Sequence, residues 1–257
     1  MSNKHHVRRV HLPAHAFGLF GAIFCFVNPH WSALLGFLIF NFWLSGLGMS
    51  IGFHRYFTHR TFHANRFWKY AMLIGGSLAG QGSPIFWVAL HRMHHRNSDL
   101  TSDIHSPAHK GLWYAYMGWI FGLDPSEVKL GNATDLIRDP AMQFVHRNYS
   151  DLMWAYWLSM FGITLWFPVL TPFIAGAFIA GMWSIHQEAL INSVCHDSRF
   201  GDRPFEIKDA SRDVHWLHYL TWGQSLHNTH HAYPMSANFG TARNPDIGYK
   251  VIKWICS

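Results

Sequence analysis

Two long stretches without a formal charge constrain this chain more than any other feature. Residues 10–54 contain no Asp, Glu, Lys or Arg, and neither do residues 152–187. A helix rises 1.5 Å per residue, so a hydrocarbon core of about 30 Å takes about 20 predominantly apolar residues. Each window has room for two such helices and a tight turn, and turn residues stand in between: Asn28-Pro29-His30-Trp31 in the first, Pro168 in the second. The expected spans are 12–27, 32–53, 151–167 and 170–191. Pro13 falls in the first turn of the first helix, where proline is tolerated.

The intervening segments are polar. Tyr70 to Leu90 is charge-free but interrupted by Gly75, Gly76, Gly80, Gly82 and Pro84, which suits an interfacial or re-entrant element better than a fifth span. The aromatic stretch Trp113 to Trp119 belongs at the membrane interface. The charged fraction is 13%, against about 25% for a soluble domain. The chain therefore reads as an all-α membrane protein: one domain over residues 1–257, with four transmembrane helices and a cytoplasmic helical cap made of 54–150 and 192–257.

The placement of the basic residues fixes the orientation. Four spans put both termini and the long middle segment on one side. That side holds 3 Lys and Arg before the first helix, 10 between the second and third, and 7 after the fourth, which is all 20 in the chain. Positive residues mark the cytoplasmic face, so the protein is expected to be multi-pass with both termini inside. The net charge of +6 is then an orientation signal, and with no groove-reading motif or basic tail no nucleic-acid partner is expected. Lys4, Arg8 and Arg9 before an apolar run look like the start of a signal peptide, but no small-residue cleavage site follows. Cys25, Cys195 and Cys256 are too few and scattered for a disulfide framework, and Cys195 reads as a packed thiol.

Against this apolar background stand 21 histidines. Two HxxHH boxes, His91-Arg92-Met93-His94-His95 and His227-Asn228-Thr229-His230-His231, place imidazoles three and four residues apart, on one helical face and close enough to grip one ion. A looser box, His54 to His59, spaces its two by five, off a single α-helical face, so it is expected where a helix ends and turns back. Eight imidazoles exceed what one four-coordinate ion takes, and two metals are the natural count. His196 is a ninth candidate ligand, and Asn192 one helical turn before it is placed to hold a metal-bound water. The topology puts all of these on the cytoplasmic face. Imidazole suits several transition metals. The absence of HExxH argues against a zinc protease, and no Glu/ExxH set of a soluble di-iron bundle is present. Ligating imidazoles need acceptors behind them; Asp99, Asp103, Glu188 and Asp197 are near enough in sequence. Glu188 lies deep in the fourth span, where a carboxyl is a functional candidate by default.

Together, HRYFTH at 54, GSPIFWVALHRMHH at 82, the HSP and MGW stretches at 105 and 117, INSVCH at 191, GDRPFE at 201 and HNTHHAYP at 227 resemble the membrane fatty acid desaturases of the stearoyl-CoA desaturase type, over about residues 32–251. The resemblance implies two iron ions on His54, His59, His91, His94, His95, His196, His227, His230 and His231, with Asn192 through a water. It implies O2 as co-substrate and a fatty acyl substrate, delta-9-like in position. Electrons would come from a separate donor, ferredoxin-like or a b-type cytochrome with its reductase, since no HPGG haem motif occurs. Gln81 and Trp87 match residues that shape the family's substrate tunnel. Glu188 and Ala189 stand where it has a Thr-Trp pair, and Gly223-Gln224-Ser225 where it has GEG. Gly82, Ala89 and Leu90 replace residues that contact CoA in the animal enzymes, which leaves CoA, lipid and acyl carrier protein open as acyl carriers. A related hydroxylase or acetylenase would use the same scaffold. A non-enzymatic metal-binding membrane protein would instead string its ligands along a pore.

Overall fold

The computed structural model describes residues 7–242 and 244–256; expectations resting on Lys4 and on Arg243 lie outside them. Every regular element among the described residues is helical, and two isolated bridges tie Asp202 to Asp213 and Asp213 to Leu226.

Helix α1, Leu12–Val27, carries Pro13 in its first turn and continues an opening π turn, Val7–His11. Helix α2, Trp31–Asn41, is capped by His30, whose Nδ1 accepts from Ser32 N at 3.2 Å. It runs without a break into a π-helical segment, Phe42–Thr58. Helix α3, Arg66–Leu78, starts from an Asn65 cap, and α4, Pro84–Asn97, follows. The turn between them holds Gly80 at φ +79° and Gly82 at φ +115°, backbone that a side chain with Cβ rarely adopts. The glycine-broken stretch is thus two helices hinged at those residues. After several short helical turns come α5, Tyr149–Trp166, and α6, Thr171–Val194. The rest is irregular apart from short pieces including α7, His227–Ala232, and α8, Ile247–Ile255.

Among the described residues, three helical stretches are long and apolar enough to cross a membrane: Arg9–Val27, Trp31–Thr58 and Pro168–Val194. The second and last run past the expected ends at 53 and 191, because helix continues through the first histidine box and to the foot of His196. The third expected span, 151–167, forms as α5, but Asp151 in its first turn and its Tyr, Ser and Trp residues dilute its apolar character.

Helix α6 packs along both α1 and α2. A Cβ on Gly36 would lie 2.0 Å from Phe173 O, and one on Gly176 1.9 Å from Ala33 O, so α2 and α6 touch backbone to backbone as small residues allow in membrane helices. Apolar side chains stay bare on α1, on α2 and in the turn before α6: Phe26 is 88% exposed, Leu34 63% and Val169 83%. The π segment and α6 end on the same side of the bundle, and that puts the first histidine box beside His196.

Candidate metal centre

The π segment solves the spacing of the first box. In a π-helix the hydrogen bond runs from residue i+5 to i. His59 N donates to His54 O at 3.2 Å and Thr58 Oγ1 to Phe53 O at 2.7 Å. His54 and His59 are therefore one π turn apart on one face, with ring centroids 5.0 Å apart. The box does lie at a helix end, but the wider winding, not a reversing turn, brings the rings together. Box two occupies the last turns of α4, and box three is most of α7.

The nine imidazoles collect into two groups: His54, His59, His91, His95 and His230, and His94, His196, His227 and His231. Neither HxxHH box serves one group, contrary to the sequence expectation. In each, the i and i+4 residues go to one group and the i+3 residue to the other. With 3.6 residues per turn, i+4 lies about 40° to one side of i and i+3 about 60° to the other, so adjacent rings such as His94 and His95 diverge by about 100°. The groups abut, with the ring centroids of His95 and His231 4.4 Å apart.

Within the groups the ring nitrogens converge. His54 Nε2 is 2.9 Å from His230 Nε2, which is 3.0 Å from His95 Nε2, itself 3.1 Å from His91 Nε2; His227 Nε2 and His196 Nε2 are 3.0 Å apart. With metal–nitrogen bonds of about 2.1 Å, ligands at right angles sit about 3.0 Å apart and tetrahedral ones about 3.4 Å. The observed spacing and the set of five suit a five- or six-coordinate ion better than tetrahedral zinc. His59 Nε2 and His231 Nε2 are buried with no hydrogen-bond partner, a costly arrangement that a metal ion would relieve. The donor set thus fits a pair of metal ions.

The electrostatics agree for most of the set; His94 is the exception, since burial alone would lower it but Asp103 outweighs that and holds it above the ordinary value. Burial, helped by Arg92 and Arg55, pushes His59 down to about 3. Burial and neighbouring imidazoles hold His91, His95, His227, His230 and His231 well below the ordinary histidine value. Neutral imidazole is the form that binds metal. Behind the second group stand hydrogen-bond acceptors: His94 Nδ1 donates to Asp103 at 3.1 Å, His196 Nδ1 to Asp99 at 2.9 Å, His231 Nδ1 to Asp209 at 3.0 Å and His227 Nδ1 to Gln224 O at 3.3 Å. Burial alone would raise the carboxyls of Asp99 and Asp103, but His196 and His94 outweigh it and hold both well below the usual carboxylate range.

Of the four expected acceptors, Asp99 and Asp103 reach ligands. Asp197 instead pairs with Arg199, and Glu188 Oε1 accepts from Gln224 Nε2 at 2.7 Å. Asp209 was not anticipated. His105, in the HSP stretch, packs its ring 4.5 Å from His94 and had been given no role. Gln81, Trp87, Glu188 and Asn192 line one cavity of about 30 Å³ together with His94 and His227. Trp87 also stacks on His91, 4.8 Å between centroids and 11° from parallel. Ala189, the fourth expected tunnel residue, is buried but is not on that wall.

Comparison with known proteins gives a consistent result. The family model described as fatty acid desaturase matches residues 29–239. The chain is 35% identical over 223 residues to the sn-1 stearoyl-lipid 9-desaturase of Anabaena variabilis, covering 86% of this chain and 79% of that one. It is 35% identical over 234 residues to the sn-2 palmitoyl-lipid 9-desaturase of Nostoc sp. (strain 36), covering 87% and 79%. To the hex-5-enoyl-[acyl-carrier protein] acetylenase of Moorena producens (strain JHB) it is 34% identical over 254 residues, covering 87% and 74%. Matched by the family model over most of its length, the chain belongs to the fatty acid desaturase family and is an oxidoreductase of fatty acyl chains.

Proposed function

We propose that the protein is an O2-dependent di-iron desaturase that introduces a double bond, in the manner of a 9-desaturase, into an acyl chain carried on a membrane lipid. The observation that carries this reading is the pair of abutting groups, five and four imidazoles, which reach the wall of a cavity at the end of the apolar helices through His54, His91, His94 and His227. The reaction balances as –CH2–CH2– plus O2, two electrons and two protons giving –CH=CH– and two waters. Iron held by His54, His59, His91, His95 and His230, and by His94, His196, His227 and His231 with Asn192 through a water, would supply the redox chemistry. The chain's own residues position the substrate. Trp87, Leu90, Trp119 and Ile191 line the cavity with apolar surface that excludes water and receives methylene groups. Gln81 Nε2 donates to Ser184 O at 2.9 Å, tying the turn before α4 to α6 beside the cavity.

Lipid-linked substrate is favoured by a larger cavity of about 560 Å³ that shares Gln81 and Trp119 with the first. Among the described residues, the formally charged ones lining it are Arg147 and Asp124. The several phosphates of CoA call for a cluster of cations, and the described residues of this wall supply one, Arg147, against Asp124. Two of the relatives above act on acyl lipids by their names. The one-sided distribution of Lys and Arg supports four spans, α5 included, in a single domain with both termini and the histidine cap cytoplasmic. Electrons would come from a separate ferredoxin-like or b-type cytochrome donor with its reductase.

The test is mass analysis of cellular acyl chains, with double-bond location, after expression of the protein and its His94→Ala variant. A new olefin in lipid acyl chains, absent with the variant, is the expected result. Unchanged acyl chains with an iron-loaded protein and a competent donor would refute the reading. The acetylenase relative favours one second reading, a triple bond formed on the same scaffold, and product mass separates the two.

A further inference from the structure

The two imidazole groups differ in what stands behind them. In the four-histidine group, three of four ligands donate Nδ1–H to a carboxylate: His94 to Asp103, His196 to Asp99 and His231 to Asp209. These carboxylates are themselves fixed. Asp99 accepts from Ala210 N at 2.8 Å and Ser106 Oγ at 2.6 Å, Asp103 from Asp99 N at 2.9 Å, and Asp209 from Ser211 N at 3.0 Å. Among the described residues, no Lys or Arg lies within salt-bridge distance of any of the three. Arg203 approaches Asp209 only at its backbone carbonyl, and it pairs with Glu206.

The five-histidine group is the reverse. None of its ring nitrogens forms an ion pair with a carboxylate among the described residues, and His54 Nδ1 and His230 Nδ1 are buried with no partner. The charged side chains nearest it are guanidiniums. Arg55 follows His54 in the chain, and Arg92, two residues from His94, donates to Phe57 O at 2.9 Å and Thr58 O at 3.0 Å. Arg55 is matched by Asp246, and Arg92 shares Asp135 with Arg60, so both carboxylates are already spent on guanidiniums. What steadies His230 and His54 is Phe239, whose ring lies 4.5 and 5.7 Å from theirs and stacks on the Arg55 guanidinium at 4.1 Å.

A carboxylate on the far nitrogen makes an imidazole a more basic ligand, and its loss typically lowers metal affinity roughly 10–100-fold. Three unneutralised carboxylates around one group and none around the other therefore make unequal sites from similar ligands. We propose that the two metal positions are inequivalent: the four-histidine group, backed by Asp99, Asp103 and Asp209, binds a divalent cation first and holds it, and the five-histidine group loads second and exchanges. This rests on the two-metal reading above.

The test is an anaerobic titration of the full-length, metal-stripped protein in detergent with cobalt(II), followed by visible absorption and by metal content after desalting. The wild type is expected to bind two equivalents in two steps separated at least tenfold in affinity. His59→Ala, which removes a ligand of the five-histidine group only, should abolish the weaker step. His196→Ala should abolish the tighter one. Asp209→Asn should weaken the tight step roughly 10–100-fold and leave the other in place. Two equal steps, or the tight step disappearing with His59→Ala, would overturn the ordering while upholding two metal positions. No binding by a folded wild-type protein would overturn the two-metal reading itself.

Discussion

Glu188 and Gln224 meet across the cavity wall, Gln224 Nε2 donating to Glu188 Oε1 at 2.7 Å. Both positions depart from the pattern the rest of the chain resembles, and they depart together into one hydrogen bond. Gln224 also offers its backbone carbonyl to His227, so the contact joins the cavity wall to a histidine of the four-ligand group. Glu188→Ala should strand a buried amide, at a cost of about 1–3 kcal/mol, read as a drop in thermal stability in detergent. By removing a carboxyl from the cavity wall it should also shift the distribution of double-bond positions or chain lengths, read by mass spectrometry of the products.

Trp87 is buried against His91 on one side and the cavity on the other. Truncation to Ala should cost about 3–5 kcal/mol, as large aromatic deletions do in cores, and loosen the His91 ring. Denaturation and bound-metal content measured on the same preparation should fall together.

Arg55 and Asp246 form a fully buried ion pair at 2.8 Å. Asp246→Ala leaves a guanidinium without its counter-charge, so the loss should reach about 3–5 kcal/mol. Lys69 and Asp139 are also paired, but both are partly exposed, and Lys69→Ala should cost under about 1 kcal/mol. Chemical denaturation of the two variants side by side checks the contrast.

Gly176 has no room for a side chain, whereas a Cβ at Gly131 meets nothing within 4 Å. Gly176→Val should push α2 from α6 and abolish the folded, monodisperse protein. Gly131→Val should leave its size-exclusion profile unchanged.

Asp135 accepts from Arg92 and makes an ion pair with Arg60. Burial alone would raise its carboxyl, but the two guanidiniums outweigh that and bring it down to about 2. A lowered carboxyl contributes stability above its unfolded value of about 4, and that contribution is lost as pH falls through about 2, because the unfolded chain takes up the proton first. The stability difference between wild type and Asp135→Asn should therefore be constant above pH 4 and shrink between about 4 and 2, as thermal melts across that range would show.

Much of this was legible in the sequence. The charge-free windows located the apolar helices because hydrocarbon admits little else, and helical spacing marked the two HxxHH boxes. The split of each box between groups was not legible. His94 and His95 look like one unit in sequence, and only the direction of each side chain from α4 parts them. Asp209 was invisible for another reason: it sits in irregular chain 22 residues before His231, with no periodicity to link the two. The pairing of Asp197 with Arg199 shows the same limit, since adjacency to His196 said nothing about where that carboxylate points. The count of four spans rested on α5, whose polar and aromatic residues make it the least apolar of the four.

The wide winding between Phe42 and Thr58 has a consequence for how this chain tolerates change in length. It couples the pitch of a long rod to the aim of His54, Arg55, Thr58 and His59 at its tip. Losing one residue anywhere along those seventeen would either tighten the coil to the ordinary pitch or rotate the tip. Either outcome would separate two rings that now sit one above the other. Substitutions along that stretch can be absorbed locally, but an insertion or deletion there is felt at the far end.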